Sequence, residues 1–497
     1  MHATEVREVP VLIVGAGPAG LTAAITLARH GIGSLLVERR ADLSSIPRAT
    51  AVSTRTMEIF RSWELEKEIR SGGVEVEWSA WLTENLASGE GVAMPLGYPT
   101  REQAAVVSPT TPACVPQDHL EPVLLNHLRS LPGADVRFGT ELVALDQDAG
   151  GVTAVVRERA SGASTLLRAR YVVAADGAHS TVRAGLGIPM EGPDDLVRHS
   201  TVLFRAPLWQ IIGDRRFGLY VITHPEAAGV LVPVGADDRW LYGQESGPDR
   251  QRFEDYGQGR TTELIRAATG MPDLQPEIER VGHFSFAAQI AASYRDRRVF
   301  LVGDAAHRVT PRGGTGMNTA IHDGYDIAWK LAWVLSNWAG PGLLDSYETE
   351  RRAIGLHNTA RSADPNGSQR DSADGLAVDL AGRIPHVWLG RTGDQLSTLD
   401  LLGPGLTVLT GPDPATWRGA SFTGASTPID VHSVDDVTAR VLGIRGEGAI
   451  FVRPDGQPVG WWPAAVDHPV GAVREAIDRM TRAPASTTST AVAAVAS

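Results

Sequence analysis

The stretch Val9–Glu38, VPVLIVGAGPAGLTAAITLARHGIGSLLVE, decides how the rest of the chain is read. Its first apolar run, Val11–Val14, has β-branched residues and no polar alternation, the pattern of a buried parallel strand. Gly15, Gly17 and Gly20 follow in G-x-G-x-x-G spacing. In that spacing the first glycine permits a tight turn, the second lets the backbone approach a pyrophosphate, and the third lets the helix lie close on the sheet. Leu21, Ala24, Ile25, Leu27 and Ala28 give Ala19–Arg29 a helical period. The start of that helix offers unpaired N–H groups and a positive dipole end to phosphate, about 0.3–2 kcal/mol per favourable charge. A second buried strand, Ser34–Val37, ends in Glu38, whose carboxylate can accept from ribose hydroxyls and would repel a 2′-phosphate. The unit predicts a dinucleotide site and leaves open which dinucleotide, because FAD and NAD both use it.

The length of 497 residues allows roughly two to four domains. Lys+Arg 46 against Asp+Glu 58 gives a formal charge of −12, which argues against a nucleic-acid partner. The single cysteine, Cys114, excludes an internal disulfide and a cysteine metal cluster, suits a reducing cytoplasmic compartment, and reads as a small buried hydrophobe. Glu5 and Glu8 stand before the first strand, where a signal peptide would be basic. The apolar stretch Val11–Ala28 is interrupted by Gly15, Gly17, Pro18 and Gly20, so no membrane span is expected. Ala483–Ser497, rich in Ala, Ser and Thr, reads as a disordered tail.

Along the chain, Met57, Ile59, Phe60 and Trp63 predict an amphipathic helix with Thr54 as N-cap. Arg48 and Arg55 flank its approach, either as solvated charges or as cations beside a bound cofactor. Ser71–Val115 reads as irregular. Gln117–Leu131 is a helix with a leucine-rich stripe, and Gln117 either caps it or points into a cleft. Ala134–Arg137, Glu141–Asp146 and Val152–Arg157 read as strands, the last two joined at Gly150-Gly151. Tyr171–Ala174 is a further strand closed by Asp176-Gly177, a common turn pair at the sheet end where ligands sit. Thr201–Phe204, Leu219–Thr223, Gly229–Pro233 and Trp240–Tyr242 predict an inserted antiparallel sheet. Val299–Val302 is another strand, ended by Gly303-Asp304, where Asp304 either accepts from a polyol hydroxyl or makes a turn. The loop Pro311–Asn318 feeds a long helix whose first N–H groups can face a partly anionic ring oxygen. His307 and His322 are not at ligand spacing, so no metal is expected. Asn358–Asp379 is polar and ends this part. Strands Leu406–Leu409 and Ala449–Val452 and helices Val434–Leu442 and Val470–Arg479 then form a small α/β module.

The combination of Gly15-Ala16-Gly17-Pro18-Ala19-Gly20, Asp176-Gly177, Gly303-Asp304-Ala305-Ala306-His307 and Gly313-Gly314-Thr315-Gly316-Met317-Asn318 resembles the FAD-dependent aromatic hydroxylases, the single-component flavoprotein monooxygenases typified by para-hydroxybenzoate hydroxylase. Pro47-Arg48-Ala49, Arg55-Thr56-Met57-Glu58 and the segments GRIPHVW and STLDLLG are most similar to the long branch of phenol, rifampicin and aromatic polyketide hydroxylases. The resemblance implies an α/β protein. Its parts are a Rossmann-like FAD-binding domain (1–185 and 281–375), an inserted antiparallel-sheet substrate domain (186–280 with parts of 71–115) and a thioredoxin-like C-terminal domain (380–482) without CxxC.

It also implies the site. Gly15, Gly17, Pro18, Ala19 and Gly20 hold the FAD pyrophosphate, Glu38 the adenosine ribose, Arg39 the adenosine side, and Leu142 the adenine through its backbone. Arg48 and Gln117 lie near the flavin and its linker, and Arg48 is also a substrate contact if the flavin swings. Asp176 and Gly177 serve FAD and an approaching NADPH or NADH. Asp304 binds the ribityl chain, Pro311, Gly314 and Gly316 belong to the cofactor loop, and the N–H groups of Met317 and Asn318 face the flavin O2 edge. The implied reaction reduces FAD with NAD(P)H and delivers oxygen from O2 to an electron-rich ring through a flavin C4a-hydroperoxide, with no side-chain nucleophile. The expected substrate is a polycyclic aromatic small molecule, and the expected state a monomer or homodimer. Oxidation or Baeyer–Villiger chemistry on the same scaffold, and simple sequestration of an aromatic antibiotic, are the alternatives. Arg312 departs from the family pattern by placing a charge where an uncharged residue is common, and Ala353 stands where Pro often follows Glu350-Arg351-Arg352.

Overall fold

In the computed structural model, which describes residues 6–247, 252–390, 396–418 and 427–481, the opening stretch folds as strand Arg7–Val14, helix Pro18–Arg29 and strand Ser34–Val37. Leu12, Ile13, Leu35 and Leu36 have no exposed surface, as their unalternating apolar runs require. The parallel part of this sheet runs Val299–Leu301, Ser164–Ala174, Arg7–Val14, Ser34–Val37, Ala134–Arg137. A hairpin, Thr140–Gln147 with Val152–Glu158, joins it antiparallel to Ser164–Ala174.

The register of the three central strands brings the motifs together. Val14 pairs with Ala174 and Ala174 with Leu301, so the strands finish level. The turns at Gly15–Gly17, Asp176-Gly177 and Gly303-Asp304 therefore share one sheet edge, although the sequence scatters them across most of the first 304 residues. The helix Gly316–Leu335 reaches the first helix at Gly324, where a Cβ would stand 2.2 Å from the Ala19 carbonyl oxygen. Only a glycine permits that approach.

A second sheet has the order Glu277–Phe286, Val197–Arg205, Arg239–Ser246, Gly229–Pro233, Phe217–Ile222, Glu77–Thr83, Val92–Pro95. Its pairings are antiparallel except that of Phe217–Ile222 with Glu77–Thr83. Period-two alternation divides its faces. Val202, Phe204, Tyr220, Ile222, Leu231, Trp240 and Tyr242 pack with Leu264 and Ile265 in one core. Thr201, Leu219, Val221, Val230, Val232, Leu241 and Gly243 line a cavity.

Two readings are corrected here. Ser71–Val115 is not irregular: it contains Glu77–Thr83, Val92–Pro95 and the helix Arg101–Val107. Of these, Val92–Pro95 is the edge strand and Glu77–Thr83 lies next to it; an edge strand needs only one neighbour and shows little apolar pattern. Ser53, not Thr54, caps the helix Thr54–Ser62, its hydroxyl accepting from the Thr56 N–H. The polar stretch Asn358–Asp379, about which no element was expected, continues the helix Asp345–Ala363 and holds most of another, Ser372–Leu380.

The chain divides into two units, Met1–Tyr325 with Arg352–Gly382, and Asp326–Arg351 with Arg383–Ser497. Both sheets above belong to the first. In the second, Ile429–Ser433, Leu406–Thr410, Ala449–Val452 and Pro458–Trp462 lie in that order, the first pair parallel and the rest antiparallel. With the helix Pro469–Thr481 following, this second-first-third-fourth order is that of a thioredoxin-like sheet. The same unit buries a charge network. The Lys330 ammonium, wholly enclosed, donates to Asp326 at 2.8 Å and Glu350 at 2.9 Å. Arg453 donates to both oxygens of Glu350, at 2.8 and 2.9 Å, and to Asp455 at 2.5 Å. Asp326, Glu350 and Asp455 have the spacing of metal ligands, but these two cations already fill the space. Among the described residues no helix is long and apolar enough to cross a membrane. The Ala483–Ser497 segment lies outside the described residues.

Candidate active site

A cavity of about 1050 Å³ lies within the first unit, walled by the three strand-end turns, the Gly313–Gly316 loop and the open face of the second sheet. The three fingerprint glycines do different work. Gly15 has φ +109°, and a Cβ there would stand 2.3 Å from the Ala175 carbonyl oxygen. A Cβ on Gly20 would stand 2.0 Å from the Gly15 carbonyl oxygen. At Gly17 φ is an ordinary −76°, and a Cβ would meet nothing within 4 Å. Gly17 lines the cavity and is the N-cap of Pro18–Arg29, with no side chain taking up the first-turn N–H groups. That open concavity, backed by a helix N-terminus, fits a pyrophosphate. Beside it the Glu38 carboxylate accepts from the N–H of Ala16 at 3.0 Å and of Arg40 at 2.9 Å. These bonds lock it at the edge of the cavity, where Pro18, Ala19, Arg39 and Leu142 are also lining residues.

Asp304 enters from a one-turn 3-10 helix, Gly303–Ala305. Its carboxylate faces the cavity with no hydrogen-bond partner among the described residues. Desolvation by the cavity walls raises its pKa above the ordinary carboxylate value, against the pull of His307, Arg48 and Arg308, although the residue keeps surface open to the cavity. A buried pair sets its turn: Asp323 accepts from the Gly303 N–H at 3.1 Å and lies 2.7 Å from His307 Nε2. Arg48 likewise faces the cavity without a hydrogen-bond partner among the described residues. An unpaired carboxylate and an unpaired guanidinium in one enclosure are strong donors and acceptors awaiting a polar ligand.

Asp176 behaves differently. Its carboxylate accepts from the Ser180 hydroxyl at 2.5 Å and the Val182 N–H at 3.1 Å, organising the next short helix, while the Asp176-Gly177 turn lines the cavity. Gln117 is no cap: Pro116 holds that position, and the buried Gln117 amide donates to Glu121 at 2.7 Å. Glu121, a lining residue that the sequence reading missed, has its pKa raised by burial, opposed by Gln117 and Arg48. A carboxylate four residues after Gln117, on one helix face, was the available signal. His307 with Asp323 was also missed, because their pairing crosses from a turn to a later helix.

Pro311, Gly314, Gly316 and Met317 line the cavity, and Asn318 does not. The expectation for Asn318 concerns its backbone N–H; its side chain serves the scaffold. Its side chain is buried, accepting from the Ser53 N–H at 2.8 Å and donating to the carbonyls of Ala51 at 2.9 Å and Gly314 at 3.0 Å. It ties the Gly-rich loop to the segment after Arg48. Gly314, at φ +62°, presents its carbonyl to the Tyr98 hydroxyl at 2.9 Å, and Tyr98 stacks on Trp78 with centroids 4.6 Å apart. Both aromatic residues line the part of the cavity that faces the second sheet.

Residues 8–362 match the family described as FAD binding domain, and residues 379–484 match aromatic-ring hydroxylase, C-terminal. The chain belongs to the FAD-dependent aromatic-ring hydroxylases. The hydroxylase is 37% identical to a putative polyketide hydroxylase of Streptomyces halstedii, over 91% of this chain and 93% of that protein. It is 34% identical to the tetracenomycin A2 monooxygenase-dioxygenase of Streptomyces glaucescens, over 95% of this chain and 97% of that one. A crystal structure of aklavinone-11 hydroxylase in a ternary complex with FAD and aklavinone superposes with a TM-score of 0.86, at 32% identity, over 96% of this chain and 99% of that one. The hydroxylase is thus a mixed α/β flavoprotein monooxygenase, with FAD as cofactor, a reduced nicotinamide nucleotide as electron source and O2 as oxygen source. The cleft beside Gly17 and the unpaired Asp304 and Arg48 suit that cofactor.

Proposed function

We propose that this hydroxylase adds one oxygen atom to a polycyclic phenol of the aromatic-polyketide kind, with NADH or NADPH as reductant. The observation that carries the reading is the division of one cavity into two chemistries. Its first wall offers a helix N-terminus, Glu38, Arg48 and Asp304. Its second is a sheet face of Leu219, Val221, Val230, Val232 and Leu241 with Trp78 nearby, suited to a flat apolar molecule. The substrates in the relatives' names, tetracenomycin A2 and aklavinone, support the same class.

In this reading the cofactor's pyrophosphate lies against Gly17, with Gly15 and Gly20 holding the turn and Pro18 and Ala19 opening the helix. Glu38 takes the ribose, Arg39 and Leu142 border the adenosine, and Asp304 accepts from the ribityl hydroxyls. Arg48 and Gln117 stand near the flavin and its linker, and Asp176-Gly177 borders the approach of the nicotinamide. Pro311, Gly314, Gly316 and Met317 form the loop facing the ring system. The N–H groups of Met317 and Asn318 face the flavin O2 edge, and the Asn318 side chain holds that loop in shape. Bound and reduced, the flavin supplies an electrophilic oxygen drawn from O2. The chain supplies the rest: the N–H groups of the Gly316 helix start stabilise negative charge, and the apolar sheet face excludes water and orients the ring. We read regions 1–185 with 281–375, 186–280 and 380–482 as cofactor, substrate and C-terminal domains, and the enzyme as a cytoplasmic monomer or homodimer.

The test is direct. The purified yellow protein should consume NAD(P)H faster when offered polycyclic phenols, with product mass raised by one oxygen. Unstimulated NAD(P)H oxidation across a panel of two- to four-ring phenols, or products lacking the added oxygen, would overturn it.

A further inference from the structure

The sheet wall of the cavity carries one basic side chain that the reading above leaves unused. His199 projects into the cavity from strand Val197–Arg205, on the same face as Thr201. Its ring lies flat on Phe286, with centroids 4.3 Å apart and planes 6° from parallel, and a second contact to Phe284 at 5.9 Å. Neither ring nitrogen has a hydrogen-bond partner among the described residues. The charged groups around it are few. Glu245 stands opposite in the strand register, and Arg312 lies over Phe286 with its guanidinium carbon 5.6 Å from the ring centroid. Burial lowers the imidazole pKa, Glu245 opposes and Arg312 assists, so the ring is neutral near pH 7 and keeps a free lone pair.

Among the described residues the sheet wall offers no other group that takes a proton at that pH; the second lining imidazole, His179, follows Asp176-Gly177 at the end of the nucleotide-binding sheet. The Tyr98 hydroxyl is donated to Gly314, and burial pushes the Cys114 thiol up to about 12. Arg312 has no acceptor. The lining carboxylates Glu38, Asp42, Glu121, Glu141, Asp176 and Asp304 all come from the nucleotide-binding sheet, its helix and its loops.

We propose that His199 accepts the proton of a phenolic hydroxyl on the bound ring, with Arg312 stabilising the resulting phenolate. The O–H bond breaks, an N–H bond forms on the imidazole, and the electron pair stays on the oxygen. The product pair is imidazolium and phenolate, with no change in oxidation state. A phenolate ring is far richer in electrons than its phenol, which is what attack by an electrophilic oxygen requires. The charge at Arg312, unusual for that loop position, then has a function: it lies on the aromatic surface that carries His199. The inference rests on the reading that this wall takes a phenol.

The test uses the flavin-loaded enzyme and 2-hydroxyanthraquinone, whose anion absorbs at longer wavelength than its neutral form. On wild type, the bound probe should ionise with a midpoint about one pH unit or more below its value in free solution. His199→Gln keeps a hydrogen-bonding side chain without a basic nitrogen, and should return the midpoint to the free value. Arg312→Gln should move it part of the way back. With a turned-over phenol, His199→Gln should lower kcat by about 100-fold or more and remove the acid limb of the pH profile, while KM changes little. Flavin content of each variant reports the fold, and should His199→Gln lose flavin, the Arg312→Gln midpoint decides. Binding of the probe with an unshifted midpoint on wild type, or an unchanged shift in the variants, overturns the role of His199 alone. No binding of the probe to wild type overturns the phenol reading as well.

Discussion

The three fingerprint glycines should fail in two different ways when each is replaced by alanine. At Gly15 the new Cβ meets the Ala175 carbonyl oxygen at 2.3 Å, and φ of +109° suits no alanine. Strain of about 1–3 kcal/mol for the backbone conformation adds to about 1–3 kcal/mol for the overlap. Gly20→Ala incurs the overlap alone, 2.0 Å from the Gly15 oxygen. Both clashes lie between parts of the protein itself, so both variants should destabilise the apoprotein, Gly15→Ala by about 2–6 kcal/mol in all. Gly17→Ala is different, because φ is −76° and the new methyl meets no protein atom within 4 Å. Alanine is a poorer N-cap than glycine, while it stiffens the unfolded chain, worth about 0.4–1 kcal/mol the other way. The apoprotein should therefore melt nearly where wild type does. The methyl instead occupies the space assigned to the pyrophosphate, and an overlap of about 1–3 kcal/mol weakens binding roughly 5- to 150-fold. The assays are thermal unfolding of flavin-stripped protein and titration of FAD by fluorescence quenching. Gly17→Ala binding FAD within about twofold of wild type would refute the placement of the pyrophosphate, since an effect of even 1 kcal/mol exceeds that. Apoprotein destabilised as much as Gly15→Ala would refute the claim of open space.

Two further outcomes follow from charges in enclosed places. Asp304→Ala removes an unpaired carboxylate from the cavity and should give nearly colourless protein, a charge-assisted hydrogen bond being worth about 1.5–3 kcal/mol; full flavin retention would contradict the ribityl contact. Lys330→Met should destabilise the second unit by about 3–5 kcal/mol, because Asp326 loses its ammonium partner beside Glu350 and Asp455. Burial, helped by the neighbouring carboxylates Glu350 and Asp455 and opposed by Lys330 and Arg453, already raises the Asp326 pKa to about 6, so the folded state holds a proton more tightly there than the unfolded chain does. A raised carboxylate adds stability as pH falls, and losing Lys330 raises it further. The deficit of Lys330→Met should therefore be largest above pH 7 and shrink below about 6, read from urea unfolding at several pH values; a deficit independent of pH would count against it.

What the sequence disclosed was set by how local the physics is. The cofactor wall was legible because its turns demand glycine at fixed offsets, and because buried parallel strands write their burial as unbroken apolar runs such as Val11–Val14. The seven-stranded sheet was legible only at its centre. Of its outer strands, Val92–Pro95 and Glu277–Phe286 have one neighbour each, Glu77–Thr83 is mostly half-buried, and Glu277–Phe286 mixes charged with aromatic residues. Side-chain partners within the fold were not legible. Gln117, Asp176 and Asn318 each carry a polar side chain in a motif-like place, and each spends it on the protein: on Glu121, on Ser180 and Val182, and on Ser53, Ala51 and Gly314.

That contrast separates ligand-facing polar groups from scaffolding ones more sharply than any motif does. Motif membership put Asn318 and Asp304 on the same footing, yet Asn318 satisfies both ends of its amide within the protein and Asp304 satisfies neither oxygen. A polar group at a cavity wall without a protein partner is hydrated while the site is empty and is free to bond whatever displaces that water. By that criterion Arg48, Asp304 and His199 belong together, although they come from three separate segments and only the first two sit in recognisable motifs. The criterion makes a claim that the motif does not. Replacing Asn318 should loosen the Gly-rich loop and cost stability before any ligand is added, whereas replacing Asp304 or His199 should leave the apoprotein's unfolding almost unchanged and alter only what binds.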